Sequence, residues 1–320
     1  MTAGPLLDIS DLHVSFPVGR KRLIALDGVS LQLRPHETLG VVGESGSGKS
    51  TLAKTIVRLV KADQGVVSFA GEDVLGLTGR RLAQVRRQIQ LVYQDPYASL
   101  NPSLPAWKAI AEPALVHGLA ERSGARALAG ALLEKVGLSG SVATRRPARL
   151  SGGQRQRVAI ARALAVEPTV LIADEAVSAL DVSVQAQMLN LFRDLQVELG
   201  LSMLFISHQL GVVRHVADRV AVLYLGRVVE IGPTSQVFSE PAHPYTAGLL
   251  RAQPSRRRRA GDSEPVLKGE IPSPLAIPGG CRFRTRCPLA TSVCAEVDPP
   301  RVDLDRGHSA WCHHVHTQGT

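Results

Sequence analysis

Gly43-Glu-Ser-Gly-Ser-Gly-Lys49-Ser50 follows a short apolar segment at 38–43 and opens a helical pattern over 49–60. The string satisfies G-x-x-x-x-G-K-[ST], and a place between a strand and a helix is the context that pattern demands. Its glycines let the backbone curl until successive N–H groups face inward, and the helix start adds the positive end of its dipole. The loop is therefore predicted to cradle nucleotide phosphates through Gly43, Glu44, Ser45, Gly46, Ser47, Gly48 and Thr51. Lys49 is placed to reach the β- and γ-phosphates, and the Ser50 hydroxyl to ligate Mg²⁺. An ordinary Gly/Ser turn is the alternative, and the strand-then-helix context weighs against it.

A second acidic element stands far downstream. Val170-Leu-Ile-Ala173 is an apolar strand delivering Asp174 and Glu175 at its C-terminal end. Behind a phosphate loop, that pair predicts a carboxylate helping to hold Mg²⁺ (Asp174) and one polarising the attacking water (Glu175). Taken alone it would be as well explained by a solvated strand end. Between the two lies Leu150-Ser-Gly-Gly-Gln-Arg-Gln-Arg157, running into a helical stretch at 158–165. Ser151, Gly152, Gly153 and Gln154 again offer a hydroxyl and free N–H groups at a helix start, an anion-binding end. A chain with one phosphate loop has no use for a second such end unless it serves another nucleotide.

Over about residues 7–240 the order and spacing of these motifs resemble the ABC ATPase family, whose signature is the L-S-G-G-Q string. The resemblance implies two nucleotide-binding domains stacked head to tail, with Ser151 to Gln154 contacting ATP held by the opposite subunit. It also implies roles for isolated polar residues. Gln94 corresponds to a glutamine touching Mg²⁺ and the membrane-domain interface, Asp181 to the aspartate at the dimer seam, and His208 to the histidine contacting the γ-phosphate. Phe16 is the aromatic that would stack on adenine.

The coarse reading agrees with an α/β fold. Alternating segments at 7–16 and 23–33 predict half-buried antiparallel strands joined by a basic loop at 17–22. Segments at 65–70, 169–174, 202–207 and 220–224 read as further strands, with helices at 121–136, 184–199 and 210–217. The expected fold is thus a P-loop NTPase of ABC type: an antiparallel β subdomain, a mostly parallel core sheet and a helical subdomain inserted at about 96–165. Prolines crowd the chain after 237, so long helices are not expected there and a boundary is placed near 240. Residues 241–320 then form a small cysteine-containing extension.

Three strings resemble the oligopeptide/dipeptide/nickel importer branch of that family. They are Gln94-Asp-Pro-Tyr-Ala-Ser-Leu-Asn-Pro102, Asp174-Glu-Ala-Val-Ser-Ala-Leu-Asp-Val182 and Pro241-Ala-His-Pro-Tyr-Thr246 ahead of the cysteine tail. Cys281, Cys287, Cys294 and Cys312 are separated by five, six and seventeen residues, unlike the tight pairs of a zinc ribbon. In a reducing cytosol clustered cysteines bind metal more often than they form disulfides. Three readings stay open: a [4Fe–4S] cluster, which the resemblance favours; zinc, with His308 or His313 contributing; and unligated thiols.

Composition bounds the rest. The 320 residues carry a net charge of +9, are 44% hydrophobic and contain only 4% aromatics, so aliphatic side chains must supply most packing. The densest basic run, Arg256 to Arg259, sits among Pro and Gly and reads as a solvated linker. No stretch approaches the roughly 18–20 apolar residues of a spanning helix, and residues 1–8 lack a secretory pattern. The chain is expected peripherally at the cytoplasmic face of the inner membrane. Its expected partners are a second ABC ATPase subunit, related but distinct, two transmembrane permeases and, indirectly, an extracytoplasmic binding protein. The expected function is ATP hydrolysis powering di- or oligopeptide import. Alternatives are import of nickel or another small solute, or peptide or drug export. A soluble ABC ATPase acting on nucleic acid or ribosomes is more remote, because no long heptad segment or second ATPase half is present; no nucleic-acid partner is expected.

Overall fold

The computed structural model describes residues 4–252 and 269–315; the basic run Arg256 to Arg259 lies outside them. Strands β1 (Leu7–Val18), β2 (Lys21–Leu33), β4 (Gln64–Phe69) and β5 (Glu72–Asp73) form a four-stranded antiparallel sheet in the order β2-β1-β4-β5. The expected loop at 17–22 is shorter than predicted. Val18 pairs with Lys21, so only Gly19 and Arg20 make the turn, with Gly19 at φ 58°.

The second sheet has eight strands. Parallel strands β3 (Thr38–Val42), β6 (Ile89–Val92), β7 (Val170–Asp174), β8 (Ser202–Ser207) and β9 (Arg219–Tyr224) adjoin antiparallel β10 (Arg227–Pro233), β11 (Arg301–Asp303) and β12 (Ser309–Trp311). Their order is β11-β12-β10-β9-β3-β8-β7-β6. Alternation along each central strand divides the core in two. Leu171, Ala173, Met203, Phe205, Val220 and Val222 pack on one face. Val170, Ile172, Leu204, Ile206, Ala221 and Leu223 pack on the other, against β1, β2 and helix α1 (Lys49–Ile56). Both faces are covered, which is why these strands read as continuous apolar runs.

Helices α2 (Gly79–Gln88), α3 (Pro96–Ser99), α4 (Ala106–Val116), α5 (Ala125–Lys135), α6 (Gly152–Leu164), α7 (Val182–Leu199) and α8 (Leu210–Val216) follow in chain order. Helix α1 stops four residues short of the predicted end. The Arg86 guanidinium donates to the Val57 and Arg58 carbonyls at 2.9 Å, satisfying the helix terminus, and Arg58 turns left-handed at φ 57°. Helix α7 is bounded by Asp181, whose carboxylate accepts from the Val184 N–H at 2.9 Å, and by Gly200 at φ 62°.

Beyond β10 come α9 (Thr234–Ser239), α10 (Pro244–Ala252) and α11 (Val293–Glu296), all short as the prolines imply. The tail nevertheless returns to the main sheet, because β12 pairs with β10. Glu230 on β10 is fully buried and ties this junction together. Its carboxylate accepts from the Ala242 N–H at 2.7 Å, the His243 N–H at 2.9 Å and His308 Nε2 at 2.7 Å.

His243, just before α10, is itself buried, and its Nδ1 accepts the Tyr245 N–H at 3.0 Å. Burial drives this imidazole down to about 4 from its ordinary 6.5, with Glu230 opposing. The unfolded chain therefore takes up a proton near pH 6.5 that the folded chain refuses until about pH 4. This contribution is intact above pH 7, falls as pH drops below 6.5, and by pH 4 amounts to about 3 kcal/mol lost. His243→Asn keeps an acceptor for the Tyr245 amide but cannot titrate. Thermal unfolding at pH 7.5 and pH 5 is expected to show wild type losing about 2 kcal/mol more than the variant. Parallel pH profiles would count against the assignment.

Candidate active site

Four segments converge because they leave the same edge of the sheet. The loop 43–50 follows β3, His208 follows β8, Asp174 and Glu175 end β7, and Gln94 follows β6. These strands are parallel neighbours, so their C-terminal ends share one rim, the place where open α/β sheets bind ligands.

Inside the loop Lys49 is 5% exposed. Its Nζ donates to the Gly43 carbonyl at 2.8 Å and the Glu44 carbonyl at 2.9 Å, and lies 3.9 Å from Glu175 Oε1. Burial lowers its pKa, while Glu175, Asp174 and Glu44 pull the other way. The glycines are required sterically. A Cβ on Gly48, at φ 103°, would sit 2.4 Å from the Ala25 carbonyl oxygen of β2, and one on Gly43 would meet the Leu223 carbonyl at 2.2 Å.

The Ser50 hydroxyl donates to Asp174 Oδ1 at 2.9 Å. Burial and the adjacent Glu175 carboxylate raise the Asp174 pKa, against the Ser50 hydrogen bond. A hydroxyl and an electrostatically unbalanced carboxylate side by side are a donor set suited to a hard divalent cation. Glu175 sits at φ 49°, its N–H bonded to the Ile206 carbonyl at 3.0 Å, an unusual conformation for a non-glycine residue held by the neighbouring strand. Its Oε2 faces His208 Nδ1 at 3.2 Å. Gln94 reaches the same corner: its Nε2 donates to Ser178 Oγ at 3.4 Å, and Ser178 donates to the Glu175 carbonyl at 2.9 Å. Phosphate loop, acidic pair, glutamine and histidine are thus assembled within one chain.

The signature residues are built differently. Ser151 caps α6, accepting the Gln154 N–H at 3.3 Å while Gln154 Oε1 accepts the Ser151 N–H at 3.1 Å. Gly153 is needed because a Cβ there would lie 2.7 Å from Val184 on α7. Ser151 is exposed at the start of α6, and Asp181 is exposed at the start of α7. Phe16 is an exposed residue of β1, opposite Leu23. The segment on both sides of Gln94 is fastened to α6: the Arg155 guanidinium lies 4.1 Å from the Tyr97 ring centroid, and Gln156 Nε2 donates to the Tyr93 carbonyl at 3.4 Å. Beside it, a cleft of about 410 Å³ opens between Arg86, Gln90, Tyr93 and the helices carrying Glu112 and Arg162.

Two site neighbours escaped the sequence reading. Tyr245 accepts the Glu44 N–H at 3.0 Å, and Arg286 grips the Glu44 carboxylate with both terminal nitrogens, at 2.6 and 3.0 Å. The Pro-Tyr of the 241–246 string was the only local signal for the first; nothing local marked the second.

The four cysteines are free thiols. Burial raises Cys281 and Cys312 and pushes Cys287 up to about 11, with neighbouring thiols adding to each shift. Among the described residues no group of three or more His, Cys, Asp or Glu is placed to hold one metal ion. The zinc arrangement with His308 or His313 is not formed there: His308 is engaged by Glu230, and His313 Nε2 lies 3.0 Å from the Val297 carbonyl.

Residues 26–178 match the ABC transporter family, and residues 229–294 match the oligopeptide/dipeptide transporter C-terminal region. The chain is 50% identical over 289 residues to a probable peptide ABC transporter ATP-binding protein, y4tS, of Sinorhizobium fredii, covering 90% of this chain and 82% of that one. It is 48% identical to the oligopeptide transport ATP-binding protein OppF of Salmonella typhimurium, over 92% of each. A dimeric post-hydrolysis state of the ATP-binding cassette MJ0796, bound to ADP and Pi, superposes with a TM-score of 0.66 at 30% identity, over 71% of this chain and 98% of that one. With this sheet rim and those relatives, the chain belongs to the ABC transporter ATPases, in the branch that carries the oligopeptide/dipeptide transporter C-terminal region.

Proposed function

We propose that this ATPase powers a di- or oligopeptide importer through partner permeases. The observation that carries the reading is the joining of two features: the rim bearing Lys49, Ser50, Asp174, Glu175 and His208, and Tyr245 of the region that matches the oligopeptide/dipeptide transporter C-terminal region, whose hydroxyl takes the Glu44 N–H of the phosphate loop. In this reading Ser50, Asp174 and Gln94 would hold Mg²⁺, and the ion when bound would supply positive charge beside the phosphates. Lys49 and the loop amides bind the phosphates, Glu175 accepts a proton from the attacking water, and His208 orients Glu175 and meets the γ-phosphate. The exposed cap at Ser151 to Gln154 and Asp181 face a second ATPase subunit, a related chain, whose nucleotide they complete. Phe16 carries the adenine.

Residues 1–240 act as the nucleotide-binding domain, with a helical subdomain at about 96–165, and residues 241–320 as its extension. The cleft beside Tyr93 receives a permease, because it adjoins the Gln94 segment that is fastened to both Glu175 and α6. Among the described residues no helix is long and apolar enough to cross a membrane, so association with the cytoplasmic face runs through those permeases. A [4Fe–4S] cluster on Cys281, Cys287, Cys294 and Cys312 would cross-link the extension. The thiols that would hold it are free, Cys281, Cys294 and Cys312 being buried and the His314 N–H directed at Cys312 Sγ at 3.4 Å, and they would have to draw together to share it, since among the described residues no three are placed around one metal site.

The experiment is anaerobic affinity purification of the tagged chain from detergent-solubilised membranes. Two permeases and a second ATPase chain are expected, with about four iron and four sulfide per cluster-bearing chain. Recovery of ribosomes, DNA or exporter subunits would overturn the importer reading. Absence of iron and sulfide would remove the cluster alone.

A further inference from the structure

A loop built to receive a polyanion contains an acid. Glu44 is the second residue of the phosphate loop, and its negative charge is felt at Lys49. Its three polar groups are divided between two sides. The carbonyl faces inward to Lys49 Nζ at 2.9 Å. The N–H and carboxylate turn toward the extension, to Tyr245 Oη at 3.0 Å and to the two terminal nitrogens of Arg286 at 2.6 and 3.0 Å.

The grip on the carboxylate is paired and sheltered. Arg286's side chain is 5% exposed and Glu44's 24%. The guanidinium also lies 5.8 Å from the Tyr224 ring centroid, and Tyr224, Tyr245 and Phe283 pack together at centroid distances of 4.6 to 5.4 Å. Arg286 stands immediately before Cys287, and its N–H donates to the Phe283 carbonyl at 2.9 Å, so the folded cysteine segment sets where the guanidinium sits.

We propose that Arg286 and Tyr245 are positioning residues of the nucleotide site: the extension neutralises and aims Glu44, and thereby sets the affinity of the phosphate loop for nucleoside triphosphate. The inference rests on reading residues 43–50 as the nucleotide site. A two-point guanidinium–carboxylate contact fixes direction as well as charge, which a single ammonium would not. Without Arg286 the Glu44 charge returns to a site where the ligand brings several negative charges, while the groups acting in hydrolysis stay in place.

The test uses the full-length chain, with MgATP affinity and steady-state hydrolysis measured together. Arg286→Met, which keeps the stem's packing, is expected to raise the Kd and KM for MgATP about tenfold, with kcat changed less than about threefold. Adding Glu44→Gln to that variant is expected to bring Kd back to within about threefold of wild type, because the uncompensated charge is gone. Raising salt from about 0.05 to 0.5 M should shrink the single variant's defect. A merely structural role for Arg286 would lower thermal stability without recovery on removing the Glu44 charge. If the methionine variant does not fold, Arg286→Lys decides, since it keeps the charge but loses the paired contact; about a threefold rise in Kd supports the proposal and an unchanged Kd refutes it.

An Arg286→Met Kd within about twofold of wild type, or no recovery in the double variant, would overturn the proposal. Lys49→Ala separates the two readings. If it leaves MgATP binding intact, the phosphate-loop assignment itself fails. If it abolishes binding while Arg286→Met binds normally, only the role of the extension falls.

Discussion

Glu175→Gln is expected to lower steady-state ATP hydrolysis by about 100-fold or more while MgATP affinity stays within a few-fold of wild type. The amide keeps the volume and the hydrogen bonding of the carboxylate but cannot accept the proton that an attacking water must lose. Its setting argues for that role over a passive one. The residue is held at φ 49° by its own N–H bond to Ile206, a conformation that keeps Glu175 Oε1 3.9 Å from Lys49 and Oε2 3.2 Å from His208. Asp174 beside it turns its Oδ1 to the Ser50 hydroxyl, whereas Glu175 turns its Oε2 to the histidine. Phosphate release measured at saturating ATP decides the matter: a variant retaining more than about a tenth of wild-type turnover would remove Glu175 from the chemistry.

The largest expected effect on stability lies away from the rim. Glu230→Ala is expected to cost about 3 kcal/mol and to lower the unfolding temperature by about 5 °C or more. The carboxylate is fully buried yet accepts three hydrogen bonds, from the Ala242 and His243 amides and from His308. Its removal leaves the buried His243 amide, the half-buried Ala242 amide and a buried imidazole without their acceptor, and a buried loss of this kind carries a desolvation penalty of about 1–3 kcal/mol. The three donors come from the start of α10 and from the tail, so the variant should also admit protease at the 241–315 region. Thermal unfolding with limited proteolysis checks both; an unfolding temperature within about 2 °C of wild type would show that the junction is held by something else.

These effects divide along what is local and what is not. Gly43 to Ser50 could be read directly because every requirement of that loop, from the glycines to the lysine and hydroxyl, lies within eight residues. Asp174 and Glu175 were readable for a similar reason: a strand buried on both faces is apolar throughout, and its end is where polarity returns. The β1–β2 connection was misjudged because basic residues mark exposure as readily in a strand as in a loop. Here Lys21 and Arg22 belong to β2, and the Gly19-Arg20 turn suffices. The end of α1 could not be foreseen, since what stops it is Arg86, about thirty positions away in sequence, donating to the terminal carbonyls.

By itself, then, the sequence determined the α/β class, the phosphate loop, the acidic pair and the helix start at Ser151, all of which depend on spacing within single elements. Tertiary structure alone decided that Gln94, Asp174, Glu175 and His208 share a rim, because that follows from the order β3-β8-β7-β6 and not from any distance along the chain. It alone decided that the cysteine-bearing extension reaches Glu44 through Tyr245 and Arg286. Arg286 lies 242 positions beyond Glu44, and the return of the tail to the sheet, through β12 on β10, Phe283 against Tyr224 and Tyr245, and Arg282 at Asp27, brings that guanidinium to residues 43–50. A contact of that span has no signature in local composition or periodicity, because its energy appears only after the chain has closed around it.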